Sequence, residues 1–287
     1  MGDVAMVMQK SDKLNFLITG VSSGFGRALS HAALQAGHTV IGTVRNEEAR
    51  AVFEHLAPGR AMAVVLDVTD FPSIDSVIGS ATERLGPVDV LVNNAGYGHE
   101  GALEESSLEQ MRHQFDVNVF GAVAMIKAVL PAMRTRRRGH VINITSMGGF
   151  ITMPGIAYYC GSKFALEGIS ETLAKEVADF GIKVTAVAPG SFRTDWAGRS
   201  MVRSPRSLSD YDAVIDPIRA ARQAKSGHQL GDPAKAAQVI LALAGDVNAP
   251  EHLLLGSDAV RLVREKLMKM NQEIDAWEQV SVSTDFP

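Results

Sequence analysis

Short apolar, β-branched runs alternate with longer amphipathic stretches along almost the whole chain, and this rhythm leaves few folds open. Strands are predicted at 14–19, 39–44, 61–66, 88–92, 140–145, 183–188 and 252–255, with helices at 24–36, 47–56, 73–85, 103–134, 158–180 and 233–244. Strands that are apolar along their whole length, separated by helices, imply a parallel sheet buried on both faces. The expected fold is therefore α/β, a single doubly wound sheet of about seven strands with helices on both sides. No internal repeat or low-complexity linker divides it, so residues 14–256 read as one domain, preceded by a flexible tail at 1–13. Residues 191–232 break the rhythm with Ser, Arg, Asp and Pro and only a weak helical pattern, as expected of a substrate lid. Residues 257–287 form a helical extension. In it Val260, Val263, Leu267, Met270, Ile274 and Trp277 recur at three- and four-residue steps, a stripe expected to pack on its own domain or a sister subunit. Ser257 or Asp258 is placed to cap its start.

Composition narrows the function classes. A net charge of -4 argues against a nucleic-acid partner, and the basic run Arg134–Arg138 reads as a solvated helix end. One cysteine, Cys160, excludes an internal disulfide framework and fits a reducing compartment. No uninterrupted apolar stretch reaches the roughly 18 residues of a membrane span, and the N-terminus does not resemble a secretory signal. A cytoplasmic protein is expected. No His, Cys or carboxylate spacing suggests a metal.

Three groups of residues carry chemistry. Gly20, Ser22, Ser23, Gly24, Phe25 and Gly26 make a glycine-rich turn between the first strand and first helix. There glycines let the backbone approach a pyrophosphate and the helix N-terminus offers free N–H groups. The spacing is G-x-x-x-G-x-G rather than the G-x-G-x-x-G fingerprint, and no lysine follows to make a P-loop. Asn93-Asn94-Ala95-Gly96, Ser146, and Pro189-Gly190 with Thr194 end the fourth, fifth and sixth strands, on the edge where open α/β sheets bind ligands. Finally, Tyr159 lies four residues before Lys163, so one helix face carries a phenol and an amine. A neighbouring cation favours phenolate and brings a phenol of ordinary pKa near 10 towards catalytic usefulness.

Together these motifs, with Asp67 after the third strand and Asn118, resemble those of the short-chain dehydrogenase/reductase family over residues 14–256. The resemblance implies a Rossmann-type fold. It further implies that Tyr159 is the general acid for a carbonyl oxygen and the general base in reverse, and that Lys163 lowers its pKa and binds the nicotinamide ribose. Ser146 would hold the substrate oxygen, and Asn118 would order a water in a proton relay to Lys163. Asp67 and Val68 would bind adenine. Asn94, Ala95, Gly96, Pro189, Gly190, Phe192 and Thr194 would complete the cofactor site. Assembly as a homodimer or homotetramer, through the helix of Tyr159 and the long helix before it, is also implied.

At the end of the second strand, Val44 stands where an acid would receive a ribose 2′-OH, and Arg45 follows. Val44 cannot hold a hydroxyl, whereas Arg45 can fork a 2′-phosphate, so NADP(H) is favoured over NAD(H); stacking of Arg45 on adenine stays open. Substrate-pocket walls are expected from Tyr97, His99, Met147, Phe150, Met153, Phe192 and Trp196, sizes suited to a hydrophobic ketone or alcohol such as a steroid or retinoid. His99 and Glu100 read as a surface pair, with a polar anchor for substrate as the alternative. The alternatives are a non-catalytic dinucleotide sensor and an epimerase or dehydratase of the same family.

Overall fold

The computed structural model describes residues 13–286, so all of the expected tail but Lys13 lies outside the described residues. Chain order opens with β1 (Asn15–Ile18), α1 (Gly24–Gln35), β2 (Thr39–Val44), α2 (Glu47–Glu54), β3 (Ala61–Val65), α3 (Phe71–Leu85) and β4 (Val90–Asn93). Then follow β5 (Gly98–Glu100), α4 (Leu108–Phe115), α5 (Gly121–Arg136), β6 (Gly139–Ile144), α6 (Ala157–Val177) and β7 (Ile182–Pro189). The chain ends with β8 (Met201–Arg203), α7 (Asp212–Ala224), α8 (Pro233–Gly245), β9 (His252–Leu255) and α9 (Ser257–Val282).

Seven strands form one parallel sheet in the order β3-β2-β1-β4-β6-β7-β9. From β1 the chain winds outward to β3, then returns to place β4 on the other side of β1. The carboxyl ends of β1 and β4 therefore flank the crevice at the switch point. Alternate residues feed two cores, as the two-residue period of a strand dictates. Phe16 and Ile18 face α1 and α8 with Leu29 and Ile240, while Leu17 faces α3 and α5 with Ile78, Met125 and Met133.

The long helix predicted at 103–134 is interrupted. A Ser107–Gln110 capping box starts α4 five residues later than expected, and a single wide π-turn, Asp116–Phe120, separates α4 from α5. Taken with the π-turn, the helical run Leu108–Arg136 is long and apolar enough to cross a membrane by length and composition, yet it puts Met125, Ile126, Val129 and Met133 into the core.

Residues 191–232 hold more structure than their sequence suggests. They supply β8, which pairs with β5 in parallel, and the helix α7. The C-terminal stripe packs on its own domain only at its start. Ala259 and Val263 are buried, but Leu267, Met270, Ile274 and Trp277 are exposed, so only the first turns of α9 pack on this domain. Neither Ser257 nor Asp258 is the cap residue; Gly256 is, at φ +97°. Asp258 instead accepts a hydrogen bond from the Ser191 amide at 2.8 Å, tying the helix base to the loop after β7.

Candidate active site

A cavity of about 1320 Å³ opens along the carboxyl edge of the sheet, over the glycine turn. At its floor, α1 begins at Ser23 with no side-chain cap and no acid in its first turn. Its first N–H groups are thus left for a ligand, and the dipole favours a negative one. Gly20 and Gly24 have positive φ, +72° and +55°, where a side chain would be strained. Gly26 is not on the wall. It sits beneath the turn, where a Cβ would overlap the Gly20 carbonyl and the Asn94 amide. Asn94 braces this turn, its Nδ2 donating to Thr19 O and Gly20 O at 2.9 and 3.0 Å, while the Thr19 hydroxyl accepts from the Asn94 and Ala95 amides. Ser22, Phe25, Ala95, Gly96 and Pro189 line the cavity. Thr194 faces Gly24 across it, and Phe192 meets Phe25 edge-on at 5.0 Å. Gly190 lacks a side chain where Asp258 presses in from α9.

At the far end of the cavity Val44 is buried and Arg45 exposed. Asp67 and Val68 line the same end. Burial opposes ionisation of Asp67, but the Thr69 amide and hydroxyl and the nearby Arg45 charge outweigh it and hold the carboxyl below its usual range.

Tyr159, Lys163 and Ser146 share one wall. The neighbouring Tyr158 is committed elsewhere, its hydroxyl donating to Ser106 O at 2.7 Å, so Tyr159 alone of this pair presents its phenol to the cavity. Ser146 Oγ accepts from the Gly148 amide at 3.0 Å. Lys163 Nζ donates to Ile144 O at 2.8 Å and lies 5.8 Å from the centre of the Tyr159 ring. Burial raises the Tyr159 phenol above its ordinary value despite the Ser146 hydroxyl, and burial lowers the Lys163 ammonium to about 8 despite Glu167. At the phenol, removal of the phenolate from water outweighs the Ser146 hydrogen bond, while the Lys163 ammonium is turned towards the Ile144 carbonyl.

Asn118 lies in the π-turn and off the cavity wall. Its Oδ1 accepts from Tyr97 N at 3.2 Å, and its Nδ2 donates to Tyr97 O and Ser162 Oγ. A Cβ on Gly96 would stand 3.1 Å from Asn118 Oδ1 and 3.8 Å from Lys163 Nζ. Gly96 therefore lies beside both groups, where a side chain would crowd the Asn118 amide.

Met147, Met153 and Trp196 line the cavity beside Tyr159, with the Trp196 ring 4.9 Å from the phenol ring. Phe150 and His99, expected as pocket walls, face away. Phe150 packs edge-on to His252, and His99 stacks on Tyr158 and bonds Ser204 at 3.0 Å. Nor are His99 and Glu100 a surface pair, for both are buried. Glu100 accepts Arg203 at 2.7 Å and pairs with Arg219 and Arg222, all three from the inserted segment. This buried carboxylate ties the segment to β5, and its partners lie more than a hundred residues away along the chain. Thr43, whose hydroxyl accepts from Gly20 N at 3.0 Å, and Thr19 were likewise missed; an ordinary strand threonine carries no sequence signal of such a bond.

An uncapped helix start and an acid line one cavity with a phenol, a hydroxyl and an amine, an arrangement that suits a dinucleotide-dependent oxidoreductase. Comparison with known proteins gives the family. Residues 15–202 match the model of the short chain dehydrogenase family. The chain is 36% identical over 270 residues to oxidoreductase BOA17 of Botryotinia fuckeliana, covering 94% of this chain and 98% of that protein. It superposes on the crystal structure of a short-chain dehydrogenase from Streptomyces avermitilis with a TM-score of 0.89 and 44% identity, over 96% of this chain and 100% of that one. ElxO with NADP bound gives a TM-score of 0.69 at 28% identity, over 85% and 97% of the two chains. The protein belongs to the short-chain dehydrogenase/reductase family and is an NAD(P)-dependent oxidoreductase.

Proposed function

We propose that the protein is an NADP(H)-dependent oxidoreductase that interconverts a carbonyl and an alcohol on a largely apolar substrate, with Tyr159 as general acid and base. The presence of Tyr159, Ser146 and Lys163 on one cavity wall carries this reading. The Tyr159 phenol, whose ordinary pKa near 10 burial raises further, is protonated at neutral pH, the form a general acid needs as a carbonyl is reduced. The Ser146 hydroxyl orients the same oxygen. Lys163 supplies positive charge behind the phenol, and Asn118, beside Gly96, would order a water in the relay that reprotonates Lys163.

The residues present fit the dinucleotide. The uncapped start of α1 suits its pyrophosphate, Asp67 and Val68 suit adenine, and Arg45 suits a ribose 2′-phosphate, since Val44 offers no acceptor to a free hydroxyl. When bound, the nicotinamide supplies the hydride for reduction or takes it in reverse. Met147, Met153 and Trp196 give the substrate apolar walls, and residues 191–232, held down by Glu100, act as its lid.

Exposed Phe120 and Phe164, on and beside the helices α5 and α6, support association of two copies through that face. The buried, free Cys160 fits a reducing, cytoplasmic setting. A panel of ketones, aldehydes and alcohols with NADPH and NADH, followed through the reduced nicotinamide, tests the reading. Turnover with preference for NADPH is expected; tight cofactor binding without turnover of any compound refutes it.

A further inference from the structure

The cavity continues past Tyr159 beneath α7, and the face of that helix changes character along its length. Ile218, Ala221, Arg222 and Lys225, at successive helical steps, all line the cavity, so an apolar turn gives way to two cations. Arg222 is not free to swing away. Its guanidinium is paired to Glu100, which is 1% exposed and also binds Arg203 and Arg219. Arg222 lies near enough to Cys160, the neighbour of Tyr159, for its charge to counter the rise that burial imposes on the thiol. Trp196 lines the same cavity, its ring 4.9 Å from the Tyr159 ring.

Few acceptors compete on this part of the wall. Of the carboxylates lining the cavity among the described residues, Glu48 and Asp67 belong to the adenosine end, and Asp195 is bonded to Arg199 at 2.5 Å. Apolar walls next to a fixed guanidinium and an ammonium suit a ligand that is apolar in part and offers acceptors only.

We propose that Arg222 and Lys225 form an anion subsite, so that the substrate is an amphipathic oxo acid or hydroxy acid whose carboxylate is held by the lid helix. The subsite rests on the carbonyl–alcohol reading above and adds the substrate's charge to it. A guanidinium held in place by a buried carboxylate loses little freedom on binding, which makes it selective for a planar anion.

The test compares kcat/KM for benzoylpropionate and benzoylbutyrate with that for their methyl esters, using NADPH. The wild type should favour the acids, and rising salt should erode the preference. Arg222→Gln and Lys225→Gln should each cut the acid-over-ester ratio about tenfold, as expected for loss of a charge-assisted hydrogen bond. Lys225 stands outside the Glu100 network, so its variant remains informative if Arg222→Gln folds poorly. Equal use of acid and ester by the wild type, or an unchanged ratio in the variants, overturns the subsite while leaving the oxidoreductase reading intact. A rise in KM for NADPH, equal with both substrates, would assign the two cations to the cofactor instead and also overturn it. Turnover of neither acid nor ester would count against the parent reading, and the subsite would fall with it.

Discussion

Lys163 should destabilise the fold that it serves, by an amount that depends on pH. Buried against Ile144 O, its ammonium has a pKa lowered from the usual 10.5 to about 8. The unfolded chain therefore holds this proton more tightly than the folded one. The penalty is fully present below about pH 8 and fades as pH rises through the unfolded value. With about 1.4 kcal/mol for each tenfold change in proton affinity, it amounts to roughly 3 kcal/mol at about pH 7 and about 1.5 kcal/mol at about pH 9.5. Lys163→Met removes the titration but also strands the Ile144 carbonyl, at a cost of about 1–3 kcal/mol that does not vary with pH. Urea unfolding of wild type and variant at both pH values separates these effects. The wild type should gain about 1.5–2 kcal/mol on the variant between about pH 7 and about pH 9.5. Cys160 and Tyr159 are common to both proteins, so their titrations largely cancel. A stability difference that stays constant across this range would refute the buried, depressed ammonium.

Two further outcomes follow from the site. Arg45→Ala should raise KM for NADPH at least tenfold while changing KM for NADH less than threefold, the signature of a lost guanidinium–phosphate pair; equal effects on the two cofactors would contradict the 2′-phosphate reading. Glu100→Gln strips the common partner from Arg203, Arg219 and Arg222 inside the protein, so it should cost about 3 kcal/mol and speed proteolysis within 191–232. An unchanged thermal midpoint and cleavage rate would show that the carboxylate does not anchor the segment.

The seven strands, the glycine turn and the Tyr159–Lys163 pair were legible because each is written in local spacing: runs of β-branched residues, glycines at steps of four and two residues, a four-residue helical step. Local spacing also overreached. The apolar run through 103–134 reads as one helix, and neither the Ser107 box that delays its start nor the wide turn at Asn118 disturbs the periodicity enough to be seen. The Glu100 network was illegible for a different reason, since Glu100 and Arg203 are 103 residues apart and a buried charge looks like any other in sequence. Phe150 and His99 were misassigned because an aromatic near a strand end has two sides to turn to, and packing against His252 or Tyr158 decides. The direction of the Tyr159 shift depends on burial, a property of the assembled site that residue spacing does not carry. The α9 stripe was read correctly as apolar, yet only the fold shows that the helix leaves the domain before Leu267.

Tyr159→Phe provides the most direct test of the central claim. The change removes one oxygen and keeps the ring against Trp196, so the cavity wall survives. NADPH binding, followed by nicotinamide fluorescence, should stay within about threefold of wild type. Reduction of a carbonyl that the wild type accepts should fall at least about a hundredfold, the lower end of what a positioned acid contributes. Binding retained with turnover lost is the predicted result; turnover within a few-fold of wild type would contradict Tyr159 as the proton donor.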